Sequence, residues 1–245
     1  MTSFQENFRK KFLYDTLSKE RTVENLIQLY RWSIRIATLV YCVYMLLFAE
    51  IYQFMALNVL LAYIPLEISF HVKKVNKQGF FLLGMLWLLF YPNAPYLFTD
   101  FFHLERLPIY QGMNQLFGQS LAAWLSFGLL TVGICVYGFL GMATLFTILN
   151  ECYKRKNLNH KWQGILFIVI VNFLSSLAIF VGRFDRLHSV HIFTKPLQTL
   201  STIFFTWSSS KWLFILLFTG LQLLLVSTIF LLRGLELTDQ EEMRY

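Results

Sequence analysis

Two short segments hold most of the residues that could do chemistry. The first is Tyr91-Pro92-Asn93-Ala94-Pro95-Tyr96, followed by Thr99-Asp100 and His103-Leu104. The second is Gly182-Arg183-Phe184-Asp185-Arg186-Leu187-His188-Ser189-Val190-His191. Asp100 and His103 are three apart, and Asp185, His188 and His191 repeat that interval, so each set shares a face where the chain is helical. Carboxylate and imidazole side chains on one face can ligate Zn or Mn and leave a coordination position for water. The same residues allow a plainer chemistry. Arg183 and Asp100 can form an ion pair that ties the two segments together, or the charges can simply be solvated. Asn93, with two donors and an acceptor, sits where Pro92 and Pro95 interrupt the backbone hydrogen bonds. The candidate ligand-binding set is Asn93, Tyr96, Asp100, His103, Arg183 and Arg186. Candidate metal ligands are Asp100, His103, Asp185, His188 and His191.

The elements that must position these residues are membrane spans. Of 245 residues 56% are hydrophobic and only 14% charged, where soluble domains carry about a quarter; mean hydropathy is +0.53. This argues against a soluble enzyme, a disordered chain and a disulfide scaffold. About 20 apolar residues of helix cross a bilayer, and six stretches qualify: Ser33 to Ala49, Ile51 to Phe70, Gly79 to Phe98, a stretch within Leu116 to Leu149, Trp162 to Val181, and Trp212 to Leu232. The fourth run reaches about 51 Å as helix, too long for one upright span and too short for two, so one tilted or overhanging helix is expected. The fold class is therefore all-α, a bundle of six transmembrane helices. The third helix is broken at Pro92 and Pro95 and should kink or unwind there. Gly182 reads as the cap of the fifth helix.

Phe4, Phe8 and Phe12 recur among Arg9, Lys10 and Lys11, the pattern of a basic amphipathic helix on a membrane surface. The domain reading is an interfacial segment over 1–31, a six-helix domain over 32–233 and a short tail over 234–245. No cleavable leader is expected, because the first apolar run begins too late. Of the 21 Lys and Arg, only Arg106, Arg183, Arg186, Lys195 and Lys211 fall on the side facing away from the termini. The positive-inside rule then places both termini in the cytoplasm and both polar segments outside. The net charge of +7 suits anionic lipid rather than nucleic acid.

Inside the spans lie Asn58, Asn172 and Gln222, which serve as interhelical ties or as part of a permeation path. Gly118, Ala122 and Ser126 form a small-residue ridge on the fourth helix, with Gly128, Gly133, Gly138 and Gly141 as further points of close approach. No nucleotide-binding, nucleophile-elbow or zinc-protease motif occurs, and the three Cys lack metal spacing. No cofactor is indicated by a specific motif.

The Pro-Asn-Ala-Pro-Tyr, Thr-Asp and His-Leu elements at 92–104 resemble the signature of a bacterial multi-pass membrane family, domain of unknown function 1361. Gly182-Arg183-Phe184 and Arg186 resemble its second motif. Asp185, Leu187, His188, Val190 and His191 depart from that motif, and Ser189 agrees with it. The resemblance implies a bacterial integral membrane protein with two motifs on its outer face and carries no established activity. Three functions follow as expectations: a polar site for a lipid head group, small envelope ligand or membrane partner protein; a metal-dependent enzyme acting on an outer-leaflet lipid; or a small-solute transporter. The expected location is the bacterial cytoplasmic membrane.

Overall fold

The computed structural model describes residues 2–107, 110–111, 116–117, 120–184, 194, 196–197, 201 and 206–242, with the backbone alone at 2–21, 51, 110–111, 116–117 and 235–242. Asp185, Arg186, His188 and His191 lie outside the described residues, as does most of the stretch leading to Lys211.

Helix α1, Thr2–Phe48, is continuous, about 70 Å at 1.5 Å per residue. The amphipathic N-terminal segment and the first span are thus one helix, of which Thr22–Phe48 is long and apolar enough to cross a membrane. A 3₁₀ turn at Glu50–Tyr52 leads into α2, Phe54–His71. Helix α3, Lys77–Phe90, starts at Asn76, whose side chain accepts from the Gly79 N–H at 2.9 Å, an N-cap of the ordinary kind. A four-residue helix α4, Asn93–Tyr96, and a ten-residue 3₁₀ segment, Leu97–Arg106, complete the third crossing. Two-residue strands β1, Tyr110–Gln111, and β2, Leu116–Phe117, pair antiparallel. Helix α5, Leu121–Lys154, is one unbroken rod capped by Ser120, as the length of its apolar run requires. Helix α6, Lys161–Arg183, begins with a capping box formed by His160 and Gln163. Helix α7, Ser209–Glu242, closes the fold.

Among the described residues six helices are long and apolar enough to cross a membrane, and Leu121–Lys154 is the most buried of them. Helix α5 is central because glycines let its neighbours approach. A methyl group at Gly138 would lie 2.9 Å from the Phe98 ring, and one at Gly141 would collide with Ala94. Gly133 meets the Tyr41 phenol in the same way. Close approach therefore falls at Gly133, Gly138 and Gly141, three of the further points expected on this helix, rather than at Ala122 or Gly128. Ala122 is exposed, Gly128 has open space beside it, and Gly118 lies outside the described residues. The reason is geometric: Gly138 and Gly141 face the proline-broken crossing and Gly133 faces Tyr41 of α1, and both neighbours meet α5 below its first turns.

The break itself is a tightening rather than an unwinding. Pro92 and Pro95 each lack an N–H, so two nearby helical bonds are missing. The chain compensates locally. The Ala94 N–H turns to the Tyr91 carbonyl at 3.0 Å, and the Tyr96 N–H bonds the Pro92 carbonyl at 3.0 Å. The Asn93 side-chain amide donates to the Phe90 carbonyl at 2.9 Å. Backbone angles stay helical at Tyr91, Pro92 and Leu97. Gly182 does not cap α6, which continues through Arg183 to a cap at Phe184.

Candidate functional site

The 3₁₀ form of residues 97–106 decides what the site contains. With three residues per turn, positions three apart eclipse, so Leu97, Asp100 and His103 stack on one side. Leu97 and Asp100 are fully buried against the bundle. The Asp100 carboxylate meets partners from two other spans. Its Oδ2 accepts from Asn58 Nδ2 of α2 at 2.7 Å, and its Oδ1 accepts from Arg183 Nη1 of α6 at 3.3 Å. The same Nη1 donates to the Tyr96 phenol at 3.2 Å, and Nη2 reaches the Thr99 carbonyl at 3.5 Å. The guanidinium carbon also lies 5.7 Å from the Tyr96 ring centre. His103 Nε2 stands 3.8 Å from Asp100 Oδ1, beyond hydrogen-bond reach, and its ring packs on Phe54 at 4.6 Å.

These distances give the residues distinct parts. Asp100 is walled in by the bundle. Burying a carboxylate is costly unless it is paired and hydrogen-bonded, and Asn58 and Arg183 supply both. The Arg183 and His103 side chains are 25% and 21% exposed, so they are the members a ligand can meet. A guanidinium carries five N–H donors, and the contacts to Asp100, Tyr96 and Thr99 leave capacity for a phosphate or carboxylate. Tyr96, Asp100, His103 and Arg183 therefore gather in one place. Asn93 serves the helix break instead, and Arg186 lies outside the described residues. Among the described residues no three His, Cys, Asp or Glu side chains form a metal-binding group. Of the candidate ligands, Asp185, His188 and His191 lie outside that set.

The three intramembrane amides separate into two groups. Asn58 belongs to the site just described. Asn172, fully buried, accepts from the Tyr91 phenol at 3.3 Å and donates to the Ile168 carbonyl at 2.8 Å. Gln222 of α7 donates to Ser176 Oγ at 2.7 Å and reaches the Asn172 carbonyl at 3.5 Å, and Thr219 donates to Ser176 at 3.0 Å. This is a seam between α6 and α7 rather than a continuation of the Asp100 cluster. Asn58 as the partner of Asp100 is what sequence reasoning missed. Its depth was the available signal: Asn58 lies about 6 Å below the start of α2, on the side of the membrane where the third span ends.

The other end of the bundle carries its own polar ties. Arg35 Nε donates to Glu67 Oε2 at 3.1 Å, and Tyr63 bonds the same carboxylate. Arg155 Nη2 caps the carbonyls of Val72 and Val75 at 3.0 and 2.9 Å and stacks 4.6 Å from the Phe80 ring centre.

A bundle of six apolar helices, one interrupted by two prolines, with a carboxylate–guanidinium pair near one membrane end, defines a multi-pass helical membrane protein. The family model described as Protein of unknown function (DUF1361) matches residues 57–225, which include both polar segments and most of the bundle. The chain belongs to that family. No curated protein and no solved structure matches it.

Proposed function

We propose that this protein sits in a bacterial cytoplasmic membrane with both termini in the cytoplasm, and that its outward end binds the anionic head group of a lipid or a small envelope ligand. The observation that carries the proposal is Arg183. Its guanidinium is held by a fully buried carboxylate yet keeps a quarter of its side chain exposed. Asp100 orients the cation, Asn58 fixes Asp100, and Tyr96 backs the guanidinium. His103 lines the approach. Arg at such a place suits bidentate contact with phosphate oxygens. The transporter reading is less favoured because Asn58 is held by Asp100 while Asn172 and Gln222 belong to a different seam. Their arrangement is that of ties between helices.

The test is lipid binding by the purified full chain, followed by native mass spectrometry with phosphatidylglycerol and with phosphatidylcholine. Wild type should retain the anionic lipid selectively. Arg183→Gln should lower that selectivity about tenfold, the size of one charge-assisted contact of about 1.4 kcal/mol. Equal binding of both lipids by wild type, or unchanged selectivity in the variant, overturns the proposal.

A further inference from the structure

The 3₁₀ segment Leu97–Arg106 carries its row of eclipsed side chains one turn beyond His103. At three residues per turn, Arg106 stands in line with Asp100 and His103. The row climbs out of the bundle: Asp100 is fully buried, His103 is partly exposed and Arg106 is exposed. Arg106 does not stand apart from its neighbours. Its charge acts on the His103 ring and on Tyr52, in the turn between α1 and α2. Ring contacts join those two residues, Tyr52 to Phe54 at 6.4 Å between centres and Phe54 to His103 at 4.6 Å. The charge of Arg183 acts on the same imidazole, from the Asp100 end of the row. His103 therefore has a guanidinium toward each end of its row. The two cations are not equivalent. Arg183 shares its charge with the Asp100 carboxylate at 3.3 Å, so that pair is close to neutral as a unit. Among the described residues Arg106 enters no ion pair. Glu105 is the opposing charge that acts on His103; it is exposed and lies a third of a turn round the segment from the row.

We propose that Arg106 is the second cation of the Arg183 site, and that the site takes a lipid head group carrying two phosphates, one for each guanidinium, with His103 between them. The inference rests on the reading of Arg183 as an anion-binding residue. At about 2.0 Å of rise per residue, positions 100 and 106 are about 12 Å apart along the segment. One phosphate held by Arg183 leaves Arg106 to solvent. A second phosphate attached to the first carries the anion across His103 to Arg106. A guanidinium presents a planar fork of donors to phosphate oxygens, and the imidazole between the two forks adds an N–H. The charge balance favours the same class. A head group with one phosphate meets a cation already shared with Asp100, whereas a head group with two meets the unshared Arg106 as well. The phosphates can be joined directly, as a diphosphate, or through a glycerol; both present the same pair of anions.

The test adds two lipids to native mass spectrometry of the full chain: cardiolipin, whose phosphates are joined through glycerol, and a polyprenyl diphosphate, whose phosphates are joined directly. Wild type should retain at least one of them about tenfold over phosphatidylglycerol, and the one retained gives the linkage. Arg106→Gln should erase that preference. Arg106→Lys, which keeps the charge and loses the fork, should keep part of it, and Glu105→Gln should enlarge it. Helical circular dichroism and a monodisperse elution profile establish that each variant is folded; if Arg106→Gln fails this check, Arg106→Lys and Glu105→Gln decide. A wild type that prefers phosphatidylglycerol to phosphatidylcholine but gains nothing from a second phosphate overturns the inference and leaves the Arg183 reading standing. A preference that survives Arg106→Gln also overturns it, because the extra acyl chains of cardiolipin or the polyprenyl tail then set the ratio. Equal retention of phosphatidylglycerol and phosphatidylcholine by wild type overturns the Arg183 reading, and this inference with it.

Discussion

Removing Arg183 should destabilise the bundle more than removing Asp100, although the two are partners. Arg183→Ala leaves the Asp100 carboxylate fully buried with Asn58 as its remaining donor at 2.7 Å. Breaking a buried pair from one side costs about 3–5 kcal/mol, and the surviving amide bond places this case near the lower figure. Asp100→Ala strands a guanidinium that still has Tyr96 and the Thr99 carbonyl and is long enough to turn toward the interface, so its cost is about 2 kcal/mol. Residues in direct contact couple by about 0.5–3 kcal/mol. With a coupling near 2 kcal/mol the double variant loses about 3 kcal/mol rather than the sum of 5. Asp100→Asn, which keeps the shape and loses the charge at two hydrogen bonds, should cost about 1–2 kcal/mol. The measurement is reversible unfolding in mixed micelles followed by far-ultraviolet circular dichroism for wild type, both single variants and the double variant. If the double-variant loss equals the sum within about 0.5 kcal/mol, the pair does not hold the bundle together and the account of the site is wrong.

Three further outcomes follow from the packing. Gly141→Ala should destabilise by about 1–3 kcal/mol through overpacking against Ala94, whereas Gly128→Ala, with open space beside it, should be neutral or gain up to about 1 kcal/mol from helix propensity; thermal unfolding of the two variants side by side reads the difference. Asn172→Ala should cost about 1–2 kcal/mol by the same unfolding assay while leaving phosphatidylglycerol selectivity intact, and a loss of selectivity would mean that the α6–α7 seam communicates with Arg183. In a cysteine-free background, a membrane-impermeant maleimide added to intact cells should label Ser120→Cys and spare Lys74→Cys; the reverse pattern would invert the proposed orientation.

The spans were legible because crossing a bilayer imposes a length and a hydropathy that few side chains can disguise. The helix break was legible for a related reason. Pro92 and Pro95, three apart, remove two nearby backbone bonds, and Asn93 stands where a replacement donor is needed. Pro65 shows the contrast: buried inside α2, it removes one bond and the helix runs through. The conformation after the break was not legible. Ala94 before a proline suggested extended backbone, but close contact with Gly138 and Gly141 of α5 rewards a compact helical path. The grouping of Asp100 with Arg183 and Tyr96 followed from two polar segments ending on one side of a membrane. The place of Asn58 did not, because its partner depends on how α2 rotates about its axis. The close approaches at Gly133, Gly138 and Gly141 were among the points expected from sequence, but spacing did not separate them from Ala122, which is exposed, or from Gly128, which has open space beside it.

The chain order of the Asp100 partners sets a condition on how the protein is made. Asn58 precedes Asp100, but Arg183 arrives only with α6, after α5 and the 155–160 connection have been synthesised. Until then the nascent bundle holds a carboxylate whose burial has no counter-cation among the side chains that touch it in the finished fold. The α6–α7 hairpin therefore delivers more than two apolar helices: it brings the charge that completes the earlier spans. A chain halted after α5 should remain open at its Asp100 end, and recognition of that unfinished state by membrane quality control would distinguish a stalled protein from a mature one.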